Sequence, residues 1–69
     1  MSNEFKFNYD RLWKLLIDKK MMKKDLQRIT SLSSNVITKM GKGESVTLET
    51  LAKICRALHC EIADIVCIE

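Results

Sequence analysis

The stretch Lys23-Lys24-Asp25-Leu26-Gln27-Arg28-Ile29-Thr30-Ser31-Leu32-Ser33-Ser34-Asn35-Val36-Ile37-Thr38-Lys39-Met40-Gly41-Lys42 decides how this chain folds. Leu26 and Ile29 lie three residues apart, the spacing that puts two side chains on one face of a short helix over about 23–30. The polar run Thr30-Ser31-Leu32-Ser33 breaks that pattern and leaves one apolar anchor, Leu32, inside a tight turn. Ser33 then serves as the N-cap of another short helix, from Ser34 to Met40 or slightly beyond, stopped by Gly41 and Gly43.

At roughly 100° per residue, Val36, Ile37 and Met40 of this second helix point one way and Ser34, Asn35, Thr38, Lys39 and Lys42 the other. The outer set holds hydroxyls, an amide and two cations, with no carboxylate. Asn matches the two hydrogen-bonding atoms of adenine, Lys reaches guanine acceptors or a phosphate, and Ser and Thr serve either. The same stripe also reads as an ordinary solvated helix face. The first helix tips the balance. Lys23 and Lys24 stand in its first turn, where the positive end of the helix dipole disfavours a cation by ~0.3–1 kcal/mol. A phosphate approaching the free N–H groups there turns that cost into an attraction. Asp25 and solvent soften the cost if nothing binds.

Working outward, Asn8 can cap a helix whose Tyr9, Leu12, Trp13, Leu16 and Ile17 repeat at helical spacing, which predicts Trp13 in the core. Phe5-Lys6-Phe7 alternates like a short strand, and Ile65-Val66-Cys67-Ile68 is a β-branched run able to pair with it. Thr47 caps a helix through Leu58, with Leu48, Leu51, Ala52, Cys55 and Leu58 predicted inward and Glu49 favourable in the first turn. A fifth helical turn or two, about Glu61 to Val66, buries Ile62 and Ile65. The expected architecture is all-α, five short helices in one domain over residues 1–69, with short terminal strands.

Composition agrees with that picture. The chain has 69 residues, no proline, two glycines and 46% hydrophobic residues, values of a compact helical domain rather than a disordered one. A domain this small buries only ~60% of its unfolded surface, so a partner subunit adds useful stability. Residues 1–43 carry ten Lys/Arg against four Asp/Glu, a net +6, and residues 44–69 carry two against five, a net −3. One basic end suits a polyanion and the acidic end faces away from it. No ~20-residue apolar run and no basic-then-apolar leader are present, which predicts a cytoplasmic protein without membrane contact.

Two short helices joined by a three- to four-residue turn, the first basic at its start and the second polar outside, match a helix-turn-helix. The chain resembles the phage-repressor and Cro-like family, often called Xre-like regulators, particularly its small single-domain members with the lambda-repressor-like fold. The matching residues are Leu26, Leu32, Ser33, Ile37 and Gly43, then Thr47-Leu48-Glu49-Thr50-Leu51, Ile54, Ala57-Leu58 and Asp64-Ile65. The resemblance implies double-stranded DNA as the partner, a homodimer reaching two half-sites, and control of transcription, by repression. It implies Ser34, Asn35 and Lys39 as base-reading residues. Lys23, Thr38, Lys42 and the loop through Ser45 fall where backbone contacts are usual, and Lys24 joins them on the dipole argument. Four positions depart from the family pattern. Gln27 stands where many relatives have Ala, Ser31 where they have Gly, and Leu16 and Gly41 where an Arg and a Glu often pair. With both partners gone, Leu16 leaves no buried charge unpaired.

Rival readings are thinner. Cys55, His59, Cys60 and Cys67 form a Cys/His group, but no paired C-x-x-C exists and Cys55 falls in the apolar stripe, so these residues read as packing and no metal is expected. An odd cysteine count crowded into the last fifteen residues fits reduced thiols rather than a disulfide framework. A redox-sensing thiol needs an exposed cysteine of low pKa, which sequence alone does not show. One histidine, no Gly-rich phosphate loop and no nucleophile motif argue against an enzyme, a cofactor or a small-molecule substrate. The main competitor is a protein-interaction module on the same fold, such as an antitoxin or anti-regulator; the apolar ends Phe5, Phe7, Ile62, Ile65, Val66 and Ile68 suit that role or simple dimerisation.

Overall fold

The computed structural model describes residues 5–69. In chain order the elements are β1 (Phe7–Asn8), α1 (Asp10–Asp18), α2 (Lys23–Thr30), α3 (Ser34–Gly41), α4 (Leu48–Leu58), a single 3-10 turn (Ile62–Asp64) and β2 (Cys67–Ile68). The expected fifth helix is therefore only this 3-10 turn, and the helices of the described residues number four. Three residues make too little backbone to bury both predicted side chains. Ile65 is fully buried while Ile62 stays exposed. The turn is held by Asp64, whose carboxylate accepts the Glu61 N–H at 2.9 Å.

The two terminal segments do pair. β1 and β2 run antiparallel with Phe7 opposite Ile68 and Asn8 opposite Cys67, a shorter ladder than the alternating runs suggest. Asn8 does its capping work one residue early. Its side-chain oxygen accepts the Asp10 N–H at 2.8 Å, although Tyr9 is the residue at the helix boundary. Its amide donates to a Glu69 carboxylate oxygen at 2.7 Å, so one side chain ties the start of α1 to the chain end.

A single core of Tyr9, Leu12, Leu16, Leu26, Leu32, Ile37, Met40, Ile54, Leu58 and Ile65 joins all four helices. α2 lies at its centre, packed on α1, α3 and α4. Several predicted inward residues turn outward, each for a geometric reason. On α1 the buried line runs through Tyr9, Leu12 and Leu16, which places Ile17 about 100° away and 72% exposed. Trp13, about 60° from that line, is half-buried rather than core. On α2 the inward pair is Leu26 and Thr30, one turn apart, and Ile29 is exposed. Thr30 tolerates burial because its hydroxyl donates to the Leu26 carbonyl at 2.6 Å.

α4 repeats this pattern. Thr50 takes a core position beside Ile54 and Leu58, its hydroxyl 2.9 Å from that of Thr47. The buried face is thereby rotated from the predicted stripe, leaving Leu51 and Cys55 half-buried and Leu48 and Ala52 exposed. Thr47 caps the helix as expected, accepting the Thr50 N–H at 3.1 Å.

The segment after α3 is anchored to the N-terminal strand. Gly43 has φ +76°, and a Cβ added there would sit 3.1 Å from the Phe7 carbonyl oxygen. The Phe7 N–H donates to the Gly43 carbonyl at 3.1 Å, and the Tyr9 hydroxyl donates to the Glu44 carbonyl at 2.8 Å. Glycine is required here twice over, for the left-handed backbone and for the close strand.

Candidate nucleic-acid interface

α2 begins with a backbone bracket rather than a side-chain hydroxyl cap. The Asp25 carboxylate accepts the Met22 N–H at 2.8 Å, and this bond chiefly holds its pKa below the ordinary carboxylate value, with Arg28 and Lys24 helping. Asp25 thus remains ionised and offsets part of the unfavourable placement of Lys23 and Lys24. Arg28 approaches the same carboxylate at 3.4 Å, an exposed pair of small energetic weight.

Lys23 is not simply a free surface cation. Its Nζ lies 4.3 Å from the centroid of the Trp13 ring, a cation–π contact of ~0.5–1 kcal/mol at an exposed site. The half-buried Trp13 therefore supports the first turn of α2 from α1. Sequence reasoning missed this role by assigning Trp13 to the core; its displacement from the buried line of α1 is the signal that points outward.

The connection to α3 is the three-residue turn Ser31, Leu32 and Ser33. Ser31 adopts the left-handed conformation, φ 58° and ψ 26°, a backbone that glycine takes up most readily. Leu32 is buried, and the Ser33 hydroxyl oxygen accepts the Val36 N–H at 3.4 Å. Together they set the angle at which α3 leaves the turn.

On α3, Ile37 and Met40 are buried and Val36 is half-buried, while Ser34, Asn35, Thr38 and Lys39 are all exposed. No acidic residue interrupts this outer face. Gly41 belongs to the helix rather than ending it. Lys42 follows as the C-cap, its N–H shared between the Thr38 and Lys39 carbonyls at 3.2 and 3.0 Å. Ser45 is exposed in the following loop, on the edge of an apolar groove formed with Phe7, Val46, Leu51, Ile62 and Ile68.

The structure thus gathers Ser34, Asn35, Thr38 and Lys39 on one exposed face. Lys42 and Ser45 lie beyond its C-terminal end, and Lys23 and Lys24 stand at the start of the preceding helix. One further cation was not singled out from sequence: Lys6 lines a cleft shared with Trp13, Gly41 and Lys42. Only the pairing of β1 with the chain end and its clamp on Gly43 bring it there. Among the described residues no group of three or more His, Cys, Asp or Glu is arranged to hold a metal ion. No helix among them is long and apolar enough to cross a membrane.

A basic-ended helix, a three-residue turn and a second helix with a polar, carboxylate-free outer face, seated in a four-helix core, define a helix-turn-helix domain. The sequence profile of the Cro/C1-type helix-turn-helix DNA-binding domain matches residues 11–69, and the chain belongs to that family. The crystal structure of the transcriptional regulator VanUg superposes with a TM-score of 0.92 at 37% sequence identity, covering 99% of this chain and 91% of that one. Comparison with curated protein sequences returned no match.

Proposed function

We propose that this protein reads a specific double-stranded DNA site and regulates transcription there as a homodimeric repressor in the cytoplasm, without enzymatic activity. The observation that carries this reading is the outer face of α3. Ser34, Asn35, Thr38 and Lys39 are exposed together without a carboxylate, next to a helix start that bears Lys23 and Lys24. Ser34, Asn35 and Lys39 read base edges in the major groove. Lys23, Lys24, Thr38, Lys42 and Ser45 hold phosphates and fix the register.

The apolar groove that Ser45 borders supports association of two copies, since Ile62 and Ile68, which line it, are exposed. Dimerisation presents two α3 helices to half-sites ~34 Å apart. The likeness to VanUg, a transcriptional regulator, supports the regulatory role by similarity.

The test is fluorescence anisotropy of the purified protein on random-sequence duplex DNA over ~50–200 mM salt, followed by selection of a preferred site. Affinity that falls steeply with salt, and a selected site bound more tightly than random duplex, is the expected result. Absence of binding at the lowest salt sinks the proposal and favours a protein-interaction role.

A further inference from the structure

α4 ends on His59 in the left-handed conformation, φ 56° and ψ 52°. The Cys60 N–H then turns back to the Cys55 carbonyl at 3.0 Å. A helix closed by this six-residue return sets the side chain before the last turn against the one just past the left-handed residue, a pair that ordinarily makes an apolar contact. Here both positions are cysteines, both free thiols and both half-buried. Burial pushes the Cys55 thiol up to about 11, and the neighbouring Cys60 adds to the effect.

The two thiols differ in their surroundings. Cys60 opens onto a surface cavity shared with Lys14, Lys19, His59 and Asp64. Burial raises its pKa as well, while the contact with Cys55 and the charge of Lys19 favour its thiolate, and Glu61 and Asp64 oppose it. Cys67 stands apart on β2, opposite Asn8 in the register.

We propose that Cys55 and Cys60 are a dithiol that closes into an intramolecular disulfide by exchange with a low-molecular-weight disulfide, Cys60 attacking first and Cys55 resolving. The Cys60 thiolate forms a bond to one sulfur of the small disulfide, whose own S–S bond breaks and releases one small thiol. Cys55 gives up its proton, attacks the Cys60 sulfur and expels the second small thiol. The protein pair loses two electrons and two protons, and the small disulfide becomes two thiols. The backbone return already holds the two residues side by side, so closure staples the end of α4 to the segment leading into the 3-10 turn. Exchange is slow at neutral pH, where thiolate is scarce, and accelerates as pH rises.

The full-length protein is incubated under native conditions with excess glutathione disulfide, then measured by intact mass, free-thiol titration and peptide mapping. The expected product is lighter by two hydrogens, holds no glutathione and keeps one free thiol, at Cys67. Cys67→Ser closes the same bond, and Cys55→Ser stops with glutathione attached at Cys60. Glutathione retained on Cys60 in the unmodified protein, or oxidation routed through Cys67 into cross-linked dimers, overturns the proposal.

Discussion

The phenol of Tyr9, at the start of α1, donates a 2.8 Å hydrogen bond to the carbonyl oxygen of Glu44, just beyond the end of α3. Tyr9 is 3% exposed, so this bond fastens the loop that carries Lys42 and Ser45 to the core of the domain. Tyr9→Phe keeps the ring and removes the donor, leaving the Glu44 carbonyl without this partner. A loss of about 0.5–1.5 kcal/mol is expected in urea unfolding, the scale of one net hydrogen bond. An unchanged midpoint would show that water replaces the phenol without cost.

The same residue makes the domain sensitive to alkali. Burial raises the Tyr9 pKa above its ordinary 10, and burial raises Cys55 to about 11 and Cys60 above 9. In each case the unfolded chain loses its proton before the folded one. Stability is therefore fully present below pH ~9 and declines as pH rises through 9 to 11, where the unfolded state binds fewer protons. Thermal unfolding across pH 8–11 tests this, and Tyr9→Phe should decline less above pH 10. A flat profile in the wild type contradicts the assignment of buried neutral groups.

Ser31 holds a left-handed backbone between the two motif helices, φ 58°. A residue with a Cβ is disfavoured there relative to glycine. Ser31→Gly releases the strain and gives back part of the gain through a more flexible unfolded chain. The expected net is a stabilisation of about 0.5–1 kcal/mol, or a few degrees in Tm for a domain this size. A decrease would mean that the serine side chain contributes more to the turn than its backbone geometry indicates.

The two glycines after Met40 should respond in opposite directions. Gly41 is helical and a Cβ there meets nothing within 4 Å, so Gly41→Ala gains about 0.5–1 kcal/mol from helix propensity. Gly43 is left-handed, with the Phe7 carbonyl 3.1 Å from the added carbon. Gly43→Ala should lose more than about 1 kcal/mol and loosen the bond between β1 and the loop after α3. Parallel denaturant curves of the two variants decide the point; equal effects would place the strain elsewhere.

These contrasts show what sequence carries and what it does not. Leu26, Ile37 and Met40 were legible as core from apolar side chains at helical spacing, and Leu32 as the one apolar residue of a polar turn. The Ser33 and Thr47 caps were legible because a hydroxyl before an apolar run has a local purpose. Thr30 and Thr50 were not legible as core, since each satisfies its hydroxyl within its own helix or cap and so occupies a place a polarity count assigns to Ile29 or Leu48. The outer face of α3 followed from period alone. The Trp13–Lys23 contact and the cleft that Lys6 shares with Lys42 did not, because both depend on how α1 and β1 are set against the motif by tertiary packing.

The proposed interface makes a last and separable prediction for its two kinds of residue. Lys23 and Lys24, as phosphate contacts, should affect every duplex alike. Replacing both by Ala should weaken binding to all sequences and reduce the slope of log affinity against log salt by about 2, roughly one per phosphate contact. Trp13→Leu, which removes the ring beneath Lys23, should weaken binding less and leave the slope nearly intact, because the cation remains free to reach a phosphate. Asn35→Ala should instead leave the salt slope unchanged and relax preference at one base pair of the selected site by about 1–3 kcal/mol. Anisotropy titrations on the selected site and on its single-base variants distinguish these outcomes. If Asn35→Ala lowered affinity equally on all of them, Asn35 would be a positioning contact, and base reading by α3 would rest on Ser34 and Lys39.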